Sequence, residues 1–299
     1  MKKLVIIDGN NNLYRAYFAN TNLTFNGTNI GAIFQFPRII ASLKKTYNPN
    51  KIIITWDGKS SSHRRKLLPT YRVRDKKTNL RFDIEDFLYQ EKHIKWMMTA
   101  LGIPQIHNIN MEADDYIYYL TKRYEKKGWK IIIVSTDKDF NQLISPKCSI
   151  HSEKLKKIIH HKNAKKVLGY EPHQTVDYLC ILGDDSDKIP GYHGMGEVKT
   201  KDFLAKFGSI NEYLSSKGKY GRLDNQKLKE IYLFNRKLID LEYYHENYLK
   251  RVDITYIEDR KNPKPDIKKF TKLCLKFGIR ELRKPEFINL FKPQHEEEL

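Results

Sequence analysis

The sequence predicts an α/β fold with a twisted, mainly parallel sheet flanked by helices, and two observations lead to this class. Three short runs of β-branched and apolar residues occur at 4–7, 52–56 and 131–134, and turn-forming residues follow each one. Runs of this length are typical of strands buried on both faces of a parallel sheet. Stretches with helical spacing separate the runs, as expected of a chain that returns to add the next parallel strand.

The three predicted strands lead into aspartates, namely Asp8, Asp57 and Asp137. In a parallel sheet the carboxyl ends of the strands line the crevice where ligands bind. Three carboxylates delivered to one edge repel each other unless a cation lies between them. The sequence therefore predicts a metal site at this edge of the sheet.

Two helices are predicted between these strands. The first, at 30–45, carries apolar side chains on one face. The second opens at Glu112, has Asp114 and Asp115 in its first turn, and ends near Gly128. Acids in a first turn complement the helix dipole, but three acids in four positions exceed what capping requires. We therefore expect Asp114 to bind a metal ion.

The segment 58–93 differs from its neighbours because it combines dense positive charge with few apolar residues. Asp75 is the only acid between residues 59 and 77. Because the segment follows a strand-end aspartate, we expect an exposed excursion that overhangs the acidic edge and contacts the substrate. A solvated loop without a partner is the alternative. The candidate contact residues are Arg64, Arg65, Tyr71, Arg72 and Arg74.

The chain after residue 166 is predicted to be largely helical and to contain a glycine-rich hairpin. A helix at 172–182 leads to a group of acids at 184–187, and the hairpin then opens another helix. Glycines at a helix start let backbone N–H groups approach a phosphate, and neighbouring lysines neutralise it. An ordinary helix–helix turn is the alternative. The candidate phosphate-binding residues are Gly191, Gly194, Gly196, Lys199 and Lys201.

Charge and cysteine content indicate the partner and the compartment. The 299 residues include 55 Lys and Arg against 36 Asp and Glu, a net charge of +19. Such an excess favours a polyanionic partner such as nucleic acid, although a generally Lys-rich composition would give the same count. The three cysteines are far apart, and no apolar run approaches the length of a membrane span. We expect a soluble cytoplasmic protein that crosses no membrane.

Nine acids are candidates for the metal site. Two like charges about 4 Å apart repel by roughly 4 kcal/mol at an effective dielectric constant of about 20, so a cluster of them requires counter-ions or raised pKa values. Oxygen ligands without His or Cys select Mg²⁺ or Mn²⁺. Two such ions can clamp a phosphoryl displacement, which is the chemistry of phosphodiester hydrolysis. The nine acids are Asp8, Asp57, Glu112, Asp114, Asp115, Asp137, Asp139, Asp184 and Asp187.

Taken together, these motifs resemble the 5'-nuclease superfamily. Five of them occur in the family's order within residues 4–205. They are Ile-Asp8-Gly-Asn, Trp-Asp57-Gly, Glu112-Ala-Asp114-Asp115, Ser-Thr-Asp137-Lys-Asp139-Phe, and Gly-Asp184-Asp-Ser-Asp187-Lys-Ile-Pro-Gly. The superfamily includes the 5'-3' exonuclease domain of bacterial DNA polymerase I, stand-alone bacteriophage 5'-exonucleases and eukaryotic flap endonucleases. The chain length is nearest to that of the stand-alone phage enzymes.

The resemblance implies a PIN-like fold with two regions. An α/β nuclease catalytic domain would span 1–166, with the basic segment at about 58–93 as a helical arch that admits a free 5' strand. A helical C-terminal region would span 167–299, with a helix-hairpin-helix-like DNA-binding element at about 181–208. In the arch, Arg72 or Arg64 would stand near the scissile phosphate, where the family usually has a lysine. The hairpin would also hold a K⁺ ion.

The resemblance also implies two Mg²⁺ ions, which Mn²⁺ could replace. The first ion would be held by Glu112, Asp114 and Asp137. The second would be held by Asp139, Asp184 and Asp187. Asp8, Asp57 and Asp115 would lie around the two ions.

The expected function is a metal-dependent 5'-3' exonuclease and structure-specific 5'-flap endonuclease. It would act as a monomer on DNA at single-strand/duplex junctions in a bacterial or phage-infected cell, with RNA primers in RNA–DNA hybrids as a further substrate. A toxin-type ribonuclease with a related acidic site is one alternative, but such enzymes are shorter and lack the hairpin. A non-catalytic DNA-binding scaffold is the other, and the complete set of acids argues against it.

Overall fold

Six strands form one sheet that is parallel except at one edge. The computed structural model describes residues 1–58, 62–73, 82–107, 111–216, 218–248 and 263–292. The strands are β1 (Lys3–Asp8), β2 (Thr24–Phe25), β3 (Thr28–Asn29), β4 (Lys51–Trp56), β5 (Gln105–His107), β6 (Lys130–Val134), β7 (Cys148–Ser152) and β8 (Lys157–Ile159). The sheet order is β5-β4-β1-β6-β7-β8, with β8 antiparallel to β7, and β2 and β3 form a separate hairpin. The predicted mainly parallel sheet is confirmed.

The position of β1 between β4 and β6 brings the three predicted strand ends to one edge. β1 is parallel to both neighbours, and Asp8 at its end lies opposite Thr55 on β4. The chain leaves β4 through Asp57 and leaves β6 through residues 135–137. Because the strands point the same way, all three exits lie at the carboxyl edge of the sheet, as the sequence predicts.

Helices cover both faces of this sheet. They are α1 (Gly9–Ala19), α2 (Gly31–Tyr47), α3 (Ser62–Leu67), α4 (Ile84–Ala100), α5 (Ala113–Lys126), α6 (Ala164–Leu168), α7 (Thr175–Leu182), α8 (Glu197–Phe207), α9 (Ile210–Ser215), α10 (Asn225–Ile239), α11 (Leu241–Tyr248), α12 (Ile267–Lys276) and α13 (Pro285–Ile288). Short 3-10 helices occur at Asp139–Leu143, Pro172–Gln174 and Glu281–Arg283. Among the helices in the described ranges, none is long and apolar enough to cross a membrane.

The two faces of β1 belong to two different cores. Val5 and Ile7 share a core with α1, α2 and α4, whereas Leu4 and Ile6 share a core with α5. Successive side chains of a strand point to opposite faces, so a strand covered on both faces is apolar throughout. This is why the strands appear in the sequence as continuous apolar runs.

The described helices after residue 166 do not form a single body. α7, α8 and α10 build a third core that includes Phe203 and Leu228. α12 and α13 instead pack on the first face of the sheet, where Phe270, Cys274 and Ile288 join the core of α1, α2 and α4. The predicted division at residue 166 therefore does not describe how the last helices pack.

The predicted excursion at 58–93 is shorter in the structure, because its last part belongs to a helix. Its described part before residue 74 lies against the acidic edge. Residues 84–93 belong to α4, which begins after the N-cap Asp83 and buries Phe87 and Gln90. α3 and the turn that follows it contact the acidic edge instead of standing clear of it. Residues 59–61 and 74–81 of the predicted arch, with Arg74 among them, lie outside the described residues.

The packing of α12 predicts that its apolar face stabilises the α/β core. Phe270 is fully buried there, so Phe270→Ala should lower the free energy of unfolding by about 3 kcal/mol, measured by urea denaturation. Leu275→Ala is the matched control on the same helix, since this side chain is 53% exposed and its loss should change stability by less than about 0.5 kcal/mol. If Phe270→Ala also lowered the free energy of unfolding by less than about 0.5 kcal/mol, α12 would not contribute to the core.

Candidate active site at the carboxyl edge of the sheet

The nine candidate acids come together at this edge from five parts of the chain: the ends of β1, β4 and β6, the start of α5, and the loop between α7 and α8. Six are buried, namely Asp8, Glu112, Asp114, Asp115, Asp139 and Asp184. The other three are half-buried, namely Asp57, Asp137 and Asp187. Each of the nine interacts electrostatically with at least one other member. The predicted juxtaposition of these acids is therefore present in the structure.

The start of α5 is tied to the end of β4 by hydrogen bonds. The backbone N–H of Ala113 donates to Oδ1 of Asp57 at 2.8 Å. The backbone N–H of Glu112 donates to Oδ2 of Asp115 at 3.3 Å, so Asp115 caps the helix as the dipole favours. These contacts fix the direction in which Asp114 leaves the first helical turn.

Two further loops supply the remaining acids. After β6, the side chain of Asp137 accepts the backbone N–H of Asp139 at 2.9 Å, which fixes the turn that presents both residues. After α7, Asp184 and Ile189 form an isolated antiparallel bridge that closes the acidic loop. The Nζ of Lys138 lies 3.1 Å from Oδ2 of Asp184 and so connects the two loops.

Crowding and burial raise the pKa values of acids at the strand ends. Burial raises the pKa of Asp137 to about 7, and the nearby Asp114 adds to this effect. Burial raises the pKa of Asp57 to about 6, again with a contribution from Asp114. Burial also raises the pKa of Asp115 to about 6, even though Arg64 opposes it. A raised pKa means that the ionised carboxylate is disfavoured here, so a cation at this edge stabilises the structure.

Burial and neighbouring charges also act on Asp8, Asp139, Asp187 and Asp184. Burial raises the pKa of Asp8 and of Asp139 well above the ordinary value for an aspartate, and neighbouring carboxylates add to the shift. Burial raises the pKa of Asp187 although Arg72 opposes it. In Asp184 burial is outweighed by the hydrogen bond from Ser186 and by Lys138, so its pKa is lowered.

Arg72 lies inside this group of acids. Its Nη2 is 2.9 Å from Oδ2 of Asp114, its Nε is 3.1 Å from Oδ1 of Asp187, and its Nη1 is 3.6 Å from Oε2 of Glu112. The side chain keeps 26% of its surface exposed. The predicted proximity of Arg72 to the acidic edge is thus observed, and its partners are the acids themselves.

The donor chemistry of this edge suits a hard divalent cation, because all the candidate ligand atoms are carboxylate oxygens. The oxygens are not already arranged around an ion. Within the described part of the chain, no three or more Asp, Glu, His or Cys side chains group as a metal site does. Guanidinium groups lie between several of the acids and supply part of the positive charge that the cluster requires.

Arg64 is buried, which corrects its predicted exposed and catalytic position. Its side chain is 1% exposed, and its guanidinium donates to Oε2 of Glu112 at 2.7 Å and to Oδ1 of Asp115 at 2.9 Å. Its Nε donates to the carbonyl of Leu238 at 3.1 Å, and the ring of Tyr244 lies 3.8 Å from the guanidinium carbon. A side chain enclosed in this way does not reach a substrate. It positions the start of α5.

Tyr71 is buried too, although it was predicted to contact DNA from an exposed arch. It is 2% exposed, belongs to the third core, and donates its hydroxyl hydrogen to Oε2 of Glu112 at 3.3 Å. Arg65, in contrast, is exposed as predicted. On α3, Arg64 faces Glu112 and Tyr244 of α11 while Arg65 faces solvent, and Tyr71 lies in the turn after α3, packed into the third core.

Comparison with known proteins identifies the family. Residues 3–169 match the family model of the 5'-3' exonuclease, N-terminal resolvase-like domain. A 5'-3' exonuclease of Aquifex aeolicus is 30% identical over 285 residues, which is 95% of this chain and 95% of that relative. The chain belongs to the 5'-3' exonuclease family. It is therefore a member of a family of nucleases, which hydrolyse phosphodiester bonds.

Solved structures of bacteriophage T5 proteins share the fold of this 5'-3' exonuclease family member. The T5 5'-exonuclease with bound divalent metal ions (zinc) has a TM-score of 0.69 and 23% identity, covering 92% of this chain and 99% of that one. A T5 flap endonuclease in a pseudo-enzyme-product complex with DNA and metal ions has a TM-score of 0.68 and 22% identity, with the same coverage. These similarities confirm the predicted mainly parallel sheet flanked by helices.

The segment predicted as a hairpin lies between α7 and α8, and its three glycines differ in the space around them. A Cβ at Gly191 would lie 2.1 Å from the carbonyl oxygen of Leu182, so this glycine is required for packing against α7. Gly194 has φ of 84°, and Gly196 is the N-cap of α8. A Cβ at either of these two positions would meet nothing within 4 Å. Of these three glycines, Gly194 and Gly196 therefore leave open space in which another molecule could approach the protein backbone.

The two predicted DNA-binding lysines follow the hairpin on α8. The Nζ of Lys199 donates to the carbonyl of Gly194 at 3.1 Å, and the Nζ of Lys201 lies 2.5 Å from Oε1 of Glu197. Lys199 is exposed and Lys201 is half-buried. Lys199 thus lies beside the open part of the hairpin, whereas Lys201 lies beside Glu197 and Gly169.

Sequence reasoning missed the polar residues that hold the strand ends together. The side-chain amide of Asn12 donates to the carbonyls of Asp8 at 2.8 Å and Val134 at 2.9 Å, which joins β1 to β6. The hydroxyl of Ser135 donates to Oδ2 of Asp8 at 2.8 Å. The available signals were the run of asparagines after Asp8 and the Ser-Thr pair before Asp137.

The buried contacts of Arg64 predict that it stabilises the fold. Arg64→Ala would leave Glu112 and Asp115 buried without their cation, so the free energy of unfolding should fall by about 3–5 kcal/mol in urea denaturation. Arg65→Ala is the matched control, since it removes the same charge from the exposed neighbour and should cost less than about 0.5 kcal/mol. If the two variants were equally stable, the positioning role of Arg64 would be refuted.

Proposed function

We propose that this protein is a metal-dependent 5'-3' exonuclease that also cuts 5' flaps where single-stranded DNA meets a duplex. The observation that carries the proposal is the convergence of nine carboxylates on one edge of the sheet. Membership of the 5'-3' exonuclease family supports the direction and the chemistry of the reaction. The fold shared with a T5 flap endonuclease bound to DNA supports flap cutting.

Two Mg²⁺ ions, replaceable by Mn²⁺, are the proposed cofactors. Glu112, Asp114 and Asp137 would hold the first. Asp139, Asp184 and Asp187 would hold the second. When bound, such ions activate a water molecule and stabilise the leaving oxygen of a phosphodiester. The T5 5'-exonuclease structure with divalent metal ions supports a divalent site in this fold.

The protein's own residues orient the carboxylates and favour their ionised form. Asp8 accepts hydrogen bonds from the hydroxyl of Ser135 and the N–H of Asn11. Asp57 and Asp137 each accept one backbone N–H. Hydrogen bonds to an ionised carboxylate favour that form and fix the direction of its oxygens. Burial opposes them, so the acids retain a strong requirement for a cation.

Duplex DNA would bind at the hairpin between α7 and α8. The open space at Gly194 and Gly196 allows a phosphate to approach the N-terminus of α8, where backbone N–H groups point outward. Lys199 and Lys201 would neutralise the phosphate, and a K⁺ ion on the hairpin carbonyls is part of this proposal. The net charge of +19 supports a polyanionic partner. Arg65, exposed on α3, is a further proposed DNA contact.

RNA-primed strands are a second proposed substrate. Recognition through phosphates carries no information about base sequence, so this binding mode does not restrict the protein to one 5' strand. We also propose that the protein acts as a monomer in the cytoplasm of a bacterial or phage-infected cell. Mapping the products from nicked, 5'-flap and RNA-primed duplexes with and without Mg²⁺ would define the substrate range.

The assignment of Asp184 predicts a loss of cleavage without a loss of binding. Asp184→Asn should lower the cleavage rate of a 5'-flap DNA in Mg²⁺ by about a hundredfold or more, because a neutral amide is a poor ligand for a hard cation. Its affinity for the same DNA, measured by fluorescence anisotropy in Ca²⁺, should stay within about threefold of the wild-type value.

A matched control is available one residue away. Asp185 is exposed, is not one of the nine acids, and carries the same charge. Asp185→Asn should cleave at close to the wild-type rate. Wild-type cleavage by Asp184→Asn would exclude Asp184 from the metal site, whereas an equal loss in both variants would indicate a general charge effect.

A further inference from the structure

Arg72 occupies the space between acids that we assign to two different metal ions. Its three guanidinium nitrogens lie within 2.9 to 3.6 Å of Asp114, Asp187 and Glu112. Asp114 and Glu112 belong to the proposed first ion and Asp187 to the second. One planar guanidinium thus spans both halves of the proposed site, which a lysine ammonium cannot do because it is a point charge.

The backbone of this residue is held in an unusual conformation by the same group of acids. Arg72 has φ of 51°, which is uncommon for a residue with a side chain and persists only where the surrounding contacts enforce it. Its backbone N–H donates to the carbonyl of Asp187 at 3.2 Å, in addition to the side-chain contact with the same residue. The position of the guanidinium is therefore coupled to the conformation of the turn at 69–72.

Arg64 and Arg72 both contact the acids, but they differ in how firmly they are held. Arg64 is 1% exposed and also bonds to the carbonyl of Leu238, outside the acid cluster. Arg72 is 26% exposed, and its side-chain ion pairs within the described residues are with Asp114, Asp187 and Glu112 of the cluster. If the carboxylates bound another cation, Arg72 would lose its ion pairs. Arg64 would stay in place through its hydrogen bond to the carbonyl of Leu238.

We propose that Arg72 competes with divalent metal ions for Asp114, Asp187 and Glu112, so that metal binding displaces the guanidinium and the turn that carries it. A divalent ion held among these carboxylates would repel the guanidinium, because both are cations attracted to the same three side chains. Metal affinity then includes the free energy of displacing Arg72. This inference rests on the proposed metal site and adds a residue that sets its affinity.

Calorimetric titration of the full-length protein with Mn²⁺ at pH 8, without DNA, tests the competition directly. Arg72→Ala removes the competitor and should bind Mn²⁺ about tenfold more tightly than the wild type, a gain of about 1.4 kcal/mol. Arg72→Lys keeps one charge but not the three-way contact, so its affinity should fall between the two. Arg38→Ala is the control: it removes the same charge from an exposed ion pair with Glu281 and should leave the affinity unchanged.

Hydrogen exchange followed by mass spectrometry provides a second measurement, which does not depend on cleavage activity. In the wild type, Mn²⁺ should increase exchange in peptides that cover 69–73 and not in those that cover 63–67, where Arg64 remains anchored. In Arg72→Ala the metal should cause no such increase. If Arg72→Ala does not fold, Arg72→Lys and the wild-type exchange pattern still decide the question.

Two results would overturn the inference. An Mn²⁺ affinity of Arg72→Ala within twofold of wild type, or slower exchange at 69–73 with metal, would show that arginine and metal do not compete. In that case metal-dependent flap cleavage by the wild type would leave the proposed function intact. Absence of Mn²⁺ binding in the wild type and in every variant would contradict both the competition and the proposed metal site.

Discussion

The interaction on which the structure depends is the mutual repulsion of carboxylates collected at one edge of a parallel sheet. Topology creates the problem, because β1 lies between β4 and β6 and all three strands release their chains in the same direction. Burial intensifies it and raises the pKa of Asp137 to about 7. This arrangement of carboxylates is unfavourable for the folded chain alone, but it favours the binding of a cation. The same repulsion that limits stability therefore creates a site for divalent ions and for the phosphates they bind.

Two arginines from one segment relieve this repulsion in different ways. Arg64 is enclosed by the start of α5 and by the chain near Leu238, so it belongs to the fold. Arg72 reaches the acids from a partly exposed turn and can be exchanged for another cation. The division between a permanent and a replaceable positive charge allows the edge to be stable during folding and still available for catalysis. It also makes the basic segment part of the site.

The strands β1, β4 and β6, their order in the chain and the nine acids could be predicted from the sequence because those signals are local. A β-branched run that ends at Asp8 shows a buried strand and its exit without any knowledge of the rest. The burial of Arg64 could not be predicted, because it depends on contacts with Leu238 and Tyr244, far along the chain. The packing of Phe270 on the sheet was missed for the same reason. A run of basic residues has the same appearance in a sequence whether the side chains meet solvent or carboxylates.

The most direct test of this account is the pH dependence of stability in EDTA for the wild type and Asp137→Asn. The folded state, with the pKa of Asp137 near 7, keeps a proton that the unfolded chain, with a pKa near 3.8, releases. The wild type should therefore lose stability relative to Asp137→Asn as the pH rises from 4 to 7, and titrating groups outside the acid cluster cancel in the difference. The account predicts that the variant's advantage in free energy of unfolding grows by about 2–3 kcal/mol between pH 5 and pH 8. A difference that does not change over this range would contradict the claim that burial and neighbouring carboxylates disfavour the ionised form of Asp137 at this edge.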